Sequence, residues 1–445
     1  MSKRTTVNGG NQDMDKDLTE EKYKLLHKGG GQDDFIHAPI DKLGVAGRWL
    51  RHKLLDGILV GTPVLQTIQK HRTPMRTLLM KMISFLGTED FYTVLFLLII
   101  WCLDGRLGRL FGVLMGIGFY AAGFFKSLLC LPRPPFNKVK PEEKAYDWAL
   151  PSHHSLLGTI LPWYIWIYIN VHQELSSVQL TCLFLVISSW SFSVMFSRLY
   201  LGVHSPADIV SGGFVGVLVL SLWLQVDDIV DNFISQQKVE NPLQCVLLFA
   251  ALLYLHPKCD PGNPSFTDNC CLAGVVTGLI IGRSQRSRLL GFPSLLETLP
   301  LDTPLSNFIF LTSMRLIVGA IFVFVARTIL KFIVTTVIEI VFKLLGLQFY
   351  SSSTYRDAGH TRFKHYNENF RLPPIYIKQA ENEDDELSSS DSTNSICSTS
   401  SYEKTTEMNP ALCWDVVVPS KCIVYAVLTY LAVEVVPQVF ILIGL

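Results

Sequence analysis

Residues 197–212 read SRLYLGVHSPADIVSG. An arginine, a histidine and an aspartate stand here between two long apolar runs. Charged side chains close to hydrocarbon are costly, and they persist where they face a cavity or a partner. What Arg198, His204 and Asp208 face depends on how the chain crosses the bilayer before it reaches them.

The chain has 445 residues, of which 49% are hydrophobic and 17% charged. A soluble domain carries about a quarter charged residues. The apolar residues cluster in runs long enough to cross, or nearly cross, a bilayer, which takes about 20 residues in a helix. The expected fold is therefore all-α: a polytopic membrane protein built as a helical bundle, with the bilayer as its surroundings. A formal net charge of zero gives no general attraction to nucleic acid, and none is expected as a partner. The first 44 residues have no apolar h-region, so targeting is expected to fall to the first membrane helix.

Residues 1–44 are expected to form a disordered tail. Residues 45–85 mix Arg and Lys with spaced apolar residues, a pattern that suits amphipathic helices lying on a membrane surface. A transmembrane core is expected over 86–230, with spans near 88–104, 109–129, 154–171, 178–197 and 207–226. Additional helices fill 240–350, near 242–256, 271–282 and 308–327. The run at 271–282 is short enough to be re-entrant, and Lys331, Glu339 and Lys343 count against a further span at 328–347. Residues 351–415 are acidic and Ser-rich with few aliphatic side chains, too little apolar area to offset chain entropy, and are expected to be disordered. A final span is expected at 420–445. The ten cysteines are scattered, but Cys259, Cys270 and Cys271 share the loop KCDPGNPSFTDNCC. In an oxidising lumen a disulfide from Cys259 to either Cys270 or Cys271 is open. No His/Cys set with zinc-ligand spacing accompanies them.

Counting helix ends locates the polar residues. Lys126 lies near the end of the second span, and Arg133 follows in a loop kept non-helical by Pro132, Pro134 and Pro135. Ser152, His153 and His154 open the third span, Ser197 and Arg198 close the fourth, and His204 and Asp208 open the fifth. The loop between spans two and three and the loop between spans four and five lie on the same side. All these residues therefore meet at one membrane face.

Three cations with imidazoles and one carboxylate match a tetrahedral dianion. Arginine forks bind phosphate bidentately, and lysine adds a compact charge. The stretch PSHH supplies a helix N-terminus, with Ser152 placed to cap it and backbone N–H groups placed to hold phosphate oxygens. Of two histidines flanking a bound phosphate, one can attack phosphorus and the other can protonate the departing alkoxide. Asp208, four residues after His204, can accept a bond from the far ring nitrogen and fix its tautomer. Ser205, Pro206 and Asp208 also read simply as N-cap, N1 and N3 of a helix start, and the two roles can coexist.

These spacings carry a resemblance. KSLLCLPRP (residues 126–134), PSHH (151–154) and SRLYLGVHSPAD (197–208) resemble the three motifs of the type 2 phosphatidic acid phosphatase superfamily, whose fold is shared with vanadium haloperoxidases. The likeness covers roughly residues 88–226. FYTVLFLLIIWCLDG (91–105) and LHPKCDPGNPSFTDNCCLAGVVTGLIIG (255–282) extend it to the endoplasmic-reticulum sphingosine-1-phosphate (long-chain-base-1-phosphate) phosphatases, which also carry extra spans after the catalytic core. The resemblance implies a phosphatase core over 86–230 followed by extra C-terminal spans, in a multi-pass protein of the endoplasmic-reticulum membrane. It implies that Lys126, Arg133, Ser152 and Arg198 hold phosphate, that His154 is the acid, His204 the nucleophile and Asp208 its orienting partner. His153 stands where the superfamily has glycine and contributes its backbone N–H, although it is adjacent to the acid position and competes for that role. Neither a metal nor a cofactor is implied.

The function so implied is cleavage of sphingosine-1-phosphate or dihydrosphingosine-1-phosphate to the long-chain base and phosphate through a phosphohistidine. Phosphatidate or an isoprenyl phosphate is the alternative substrate. A transporter or scaffold that holds phosphate without cleaving it is the alternative class, but it has no need for both His154 and His204. Two crossings before the site, with Lys70, Arg72, Arg76 and Lys81 ahead of span one and Lys138, Lys140 and Lys144 in the site loop, point this face to the cytosol by the positive-inside rule. An extra crossing within 54–68 would invert that orientation. Arg315, inside an apolar run, is either paired or snorkelling, or else touches lipid headgroups.

Overall fold

A computed structural model describes residues 43–134, 138–143, 147–236, 241–257, 264–282, 294–300, 303–347, 349–350 and 414–445. The tail expected at 1–44 and the segment expected at 351–415 lie outside the described residues, apart from 43–44 and 414–415. So does Cys259, one end of the expected disulfide; Cys270 is buried and its thiol donates to the Phe266 carbonyl at 3.2 Å.

The chain is helical almost throughout: α1 (Val45–Gln69), α2 (Pro74–Phe85), α3 (Glu89–Leu98, continued by a π-helical turn, Ile99–Leu103), α4 (Gly105–Leu129), α5 (His153–His172), α6 (Ser177–Tyr200), α7 (Pro206–Gln236), α8 (Asn241–Leu255), α9 (Pro264–Ile281), α10 (Leu295–Thr298) and α11 (Leu305–Leu344). After two two-residue strands, β1 (Phe349–Tyr350) and β2 (Trp414–Asp415), come α12 (Val417–Tyr430), a second π-helical turn (Leu431–Val435) and α13 (Val436–Leu442). The strands pair in parallel, Phe349 with Trp414 and Tyr350 with Asp415.

Many helices begin where capping chemistry is written in the sequence. Thr73 accepts from the Arg76 amide just ahead of Pro74, and Thr88 accepts from the Phe91 amide with Glu89 and Asp90 in the first turn. Asp104 takes the Leu107 amide at 2.8 Å, and Ser176 forms a capping box with Gln179.

Five helices are long and apolar enough to cross a membrane, and six if α2 and α3, bent by 52° at residues 86–88, make one broken span. The protein is a multi-pass membrane protein. Helix α5 sits at the centre, against α4, α6 and α7. Tyr92, Phe111, Leu114, Leu157, Ile160, Tyr164 and Trp223 fill the space among these helices. In a bilayer such contacts gain from close packing and internal hydrogen bonds rather than from removal from water. At the end of the bundle away from residues 130–152, Arg106 meets Asp228 at 2.5 Å and Asp231 at 3.1 Å, and Arg109 meets Asp231 at 3.0 Å. These pairs tie the start of α4 to the end of α7.

Helix α1 lies across the opposite end. Arg51, near its start, donates to the Leu129 carbonyl at 2.8 Å, where α4 finishes. Gln69, its last residue, donates to the Lys140 carbonyl at 3.1 Å, and Arg72 donates to the Tyr200 carbonyl at 2.6 Å, where α6 finishes. Both ends of α1 thus touch loops of one face, and α1 is not among the helices long and apolar enough to cross a membrane.

The C-terminal part departs from expectation in one place. Residues 308–327 and 328–344 belong to one continuous helix of 40 residues, α11, rather than a span and an unassigned run. Its charged residues beyond Arg327 do not break it, since lysine and glutamate are compatible with helix. Arg315 is buried and paired: it donates to the Trp101 carbonyl at 2.8 Å and the Leu445 carbonyl at 3.0 Å. Trp101 lies in the first π-helical turn, where the widened backbone exposes carbonyls that an α-helix would use internally.

Candidate active site

Two chain reversals build the site, one between α4 and α5 and one between α6 and α7. The first begins at Cys130, which has φ +44° and donates its N–H to the Lys126 carbonyl at 2.9 Å. This left-handed residue ends α4 within a turn of Lys126 and swings Pro132 and Arg133 back across the helix end. The second is short: α6 ends at Tyr200 and α7 starts at Pro206, leaving His204 between them.

Lys126 and Arg133 converge on a residue the sequence reading did not pick, Asp147. Lys126 bonds Asp147 Oδ2, while Arg133 Nη2 reaches Asp147 Oδ1 at 2.5 Å. Arg133 Nε also donates to the Asp147 carbonyl at 3.1 Å. With two of its nitrogens held, the guanidinium turns Nη1 toward the Val203 carbonyl at 2.6 Å and toward His204 Nε2 at 3.4 Å. Burial alone would push the Asp147 carboxyl up, but Lys126 and then Arg133 outweigh it and hold it well below the usual carboxylate range. It is an anion at any working pH.

A guanidinium only donates, so His204 Nε2 accepts and its proton sits on Nδ1. Nδ1 faces Asp208 Oδ2 at 3.5 Å. That is longer than a formed hydrogen bond, the looseness common in an unliganded site. Asp208 Oδ2 meanwhile accepts the Ser205 amide at 2.7 Å, and Ser205 Oγ accepts the Asp208 amide at 3.2 Å. The helix-start role and the ring-facing role therefore coexist in one carboxylate. Burial, reinforced by Arg133, Arg198 and Lys126, pushes His204 well below the ordinary imidazole value of 6.5, so the ring is neutral at pH 7.

The adjacent histidines diverge. His153 Nδ1 lies 3.8 Å from Asp147 Oδ2, with its ring against Phe119. The His154 ring faces the opposite side, where a Cβ added to Gly87 would come within 2.9 Å of His154 Cδ2 and 2.5 Å of Val194 Cγ1. Only glycine fits the α2–α3 elbow against this ring. Ser152 holds the N-cap position of α5, but its hydroxyl makes no capping bond, contrary to expectation. Close packing explains this: the Ser152 amide donates to the Asp208 carbonyl at 3.1 Å, and the Ser152 carbonyl lies 2.7 Å from where a Cβ would stand on Gly212 of α7. The α7 backbone thus fixes how Ser152 is presented.

Arg198 Nη1 bonds Glu143 Oε2 at 2.7 Å and Ser84 Oγ at 2.5 Å. Neither partner was foreseen. The signal available was the acidic run PEEKAYD lying between two of the cationic motifs.

Among the described residues, the buried side-chain nitrogen and oxygen atoms without a hydrogen-bond partner include five at candidate site residues: Ser152 Oγ, His154 Nε2, Arg198 Nε, His204 Nδ1 and Asp208 Oδ1. Buried polar groups are ordinarily satisfied, so their concentration here marks a network completed by something else. Lys126, Arg133, Ser152, Arg198, His204 and Asp208 are all buried at this one end of the bundle.

Residues 107–229, which contain every one of these positions, match the family model described as PAP2 superfamily. The chain carries a PAP2 superfamily domain. Around that domain it is 30% identical over 251 residues to lipid phosphate phosphatase delta of Arabidopsis thaliana, covering 53% of this chain and 58% of that protein. It is 29% identical over 267 residues to sphingosine-1-phosphate phosphatase 1 of Rattus norvegicus, covering 59% of this chain and 60% of that one. The chain thus spans less than two thirds of the length of either of these two relatives. A crystal structure of a transmembrane PAP2 type phosphatidylglycerolphosphate phosphatase from Bacillus subtilis aligns over 42% of this chain and 96% of its own, with 21% identity and a TM-score of 0.36. The PAP2 domain begins in α4 and ends in α7, so α8 to α13 lie beyond it.

Proposed function

We propose that this protein is a lipid phosphate phosphatase that hydrolyses sphingosine-1-phosphate or dihydrosphingosine-1-phosphate through a phosphohistidine, in the endoplasmic-reticulum membrane. The observation that carries the reading is the placement of His204. One ring nitrogen faces Asp208 at 3.5 Å, and the other faces the Arg133 guanidinium at 3.4 Å. A neutral imidazole aimed at a phosphate-binding cation, with a carboxylate behind it, is arranged for in-line attack. Names of relatives support the substrate class: a protein of Rattus norvegicus printed as sphingosine-1-phosphate phosphatase 1 and one of Saccharomyces cerevisiae printed as dihydrosphingosine 1-phosphate phosphatase, at 29% and 27% identity.

In this reading the phosphate oxygens lie among Lys126, Arg133, Arg198, Ser152 and the N–H groups that open α5, including that of His153. His204 Nε2 donates its lone pair to phosphorus as the P–O ester bond breaks. The departing alkoxide takes a proton from His154, whose Nε2 has no protein partner. The dianion's own charge favours the protonated form of His154 while the substrate is bound. Asp208 takes up the Nδ1–H bond as the ring becomes cationic, a charge it stabilises without itself accepting the proton. A water then attacks phosphorus, His154 receives the water's proton, and the P–N bond electrons return to His204. The three cations act most strongly on charge that builds on the equatorial oxygens, the usual source of the largest rate term.

The test is turnover by the full chain in detergent micelles. Wild type should release phosphate from sphingosine-1-phosphate with EDTA present. His204→Ala should release none while remaining folded. Wild type quenched in alkaline detergent should carry acid-labile, base-stable phosphate on His204. Label on a serine or aspartate would overturn the mechanism. Tight phosphate or vanadate binding without turnover would favour a scaffold.

A further inference from the structure

A site for a simple dianion gains nothing from acidic side chains at its mouth, yet Glu143 stands there. Its Oε2 is 2.7 Å from Arg198 Nη1, and its side chain is 32% exposed. Asp147, the other acid of the loop, is spent bridging Lys126 and Arg133. Arg198 is the contact Glu143 makes among the described residues, and that cation is one the phosphate must share.

Glu143 cannot retreat far when phosphate arrives. The Glu142 amide donates to the Leu201 carbonyl at 2.9 Å, and the Glu142 carboxylate is held by Arg72 at 3.4 Å and Lys81 at 3.8 Å. Two residues earlier, the Lys140 carbonyl accepts from Arg72 at 2.6 Å and from Gln69 at 3.1 Å. Val139 between them is buried. A phosphate bonded to Arg198 therefore keeps a carboxylate close by. For a phosphate ester with no other charge, that neighbour is repulsive. For an ester whose adjacent carbon carries an ammonium group, the same carboxylate is a counter-ion.

Resting on the phosphatase reading above, we propose that Glu143 is the amine-recognising residue of this site, selecting phosphate esters that bear a cationic amine on the carbon next to the phosphate-bearing carbon. Arg198 passes from Glu143 to the substrate phosphate, and Glu143 passes from Arg198 to the substrate ammonium. The Arg198–Glu143 ion pair is replaced by two ion pairs to the substrate, one at each of its charges. Charge complementarity at a half-exposed mouth contributes more to discrimination than to raw affinity. It works by penalising the wrong ligand as well as favouring the right one.

The experiment compares sphingosine-1-phosphate with its N-acetyl derivative, which keeps the phosphate and the tail but loses the positive charge. Full-length wild type in mixed micelles should prefer the amine in kcat/KM by about tenfold or more. Glu143→Gln should lower kcat/KM for the amine by about five- to tenfold, mainly through KM, and raise it a few-fold for the N-acetyl substrate. Opposite signs on the two substrates are the signature, because a purely structural defect lowers both. Glu143→Asp keeps the charge and should keep the preference. An unchanged ratio in Glu143→Gln overturns the assignment and leaves the phosphatase reading standing, as does a ratio that collapses equally in Glu143→Gln and Glu143→Asp. If folded wild type cleaves neither substrate, the phosphatase reading falls and takes this inference with it.

Discussion

Replacing Asp147 by asparagine isolates what the carboxylate does for the two cations it joins. The substitution keeps volume and one acceptor oxygen but removes the charge. Lys126 is 1% exposed and Arg133 7%, so neither can turn to water once the anion is gone. Removing one partner from a buried ion pair costs about 3–5 kcal/mol. Asp147 has a side chain 21% exposed, and asparagine can still accept from Arg133, so the expected loss is lower, about 2–3 kcal/mol. Because the carboxyl is held well below its ordinary value of 3.8, its contribution is fully present above that pH and is lost only as pH falls through the depressed value. The gap between wild type and variant should therefore be constant from neutral to mildly acid solution. Vanadate supplies replacement negative charge to the same cations and should stabilise the variant more than wild type. Thermal unfolding of the detergent-solubilised full chain, with and without vanadate, reads both effects. The variant should unfold several degrees lower, and saturating vanadate should narrow the difference. Equal stability without vanadate, or a difference that vanadate leaves untouched, would refute the idea that Asp147 holds two phosphate-binding cations in register.

Three further outcomes are expected. His154→Ala should be severely impaired on sphingosine-1-phosphate but much less so on a nitrophenyl phosphate, whose phenolate departs with little need for a proton. His153→Gly should stay active, and finding the leaving-group rescue there instead would move the acid by one residue. Asp208→Asn should slow turnover by about a hundredfold or more through loss of tautomer control; full activity would reduce this residue to a helix cap. Stability should fall as pH drops below about 6.5, because the unfolded chain takes up a proton that the buried His204 refuses. His204→Asn should flatten that acid slope, and an unchanged slope would show that His204 is not buried as a neutral ring.

Sequence alone determined the helical, multi-span class and the convergence at one face. Runs of apolar residues admit only helices in a helical chain of this kind, and the parity of crossings does not depend on how those helices pack. It also marked Lys126, Arg133, Ser152, Arg198, His204 and Asp208, because buried polar residues at helix ends stand out against hydrocarbon-facing neighbours. Tertiary structure decided what each of them touches. Adjacent residues on a helix point about 100° apart, so the turn of α5 sent His153 to Asp147 and His154 to the elbow at Gly87. Spacing could place both histidines at the helix start but could not separate their surroundings. Asp147 and Glu143 were invisible for a different reason. They sit in a loop without periodicity, and an acid among lysines reads as an ordinary solvated turn. Their roles arise from pairing with Lys126, Arg133 and Arg198 across gaps of 21, 14 and 55 residues, and only folding closes those gaps.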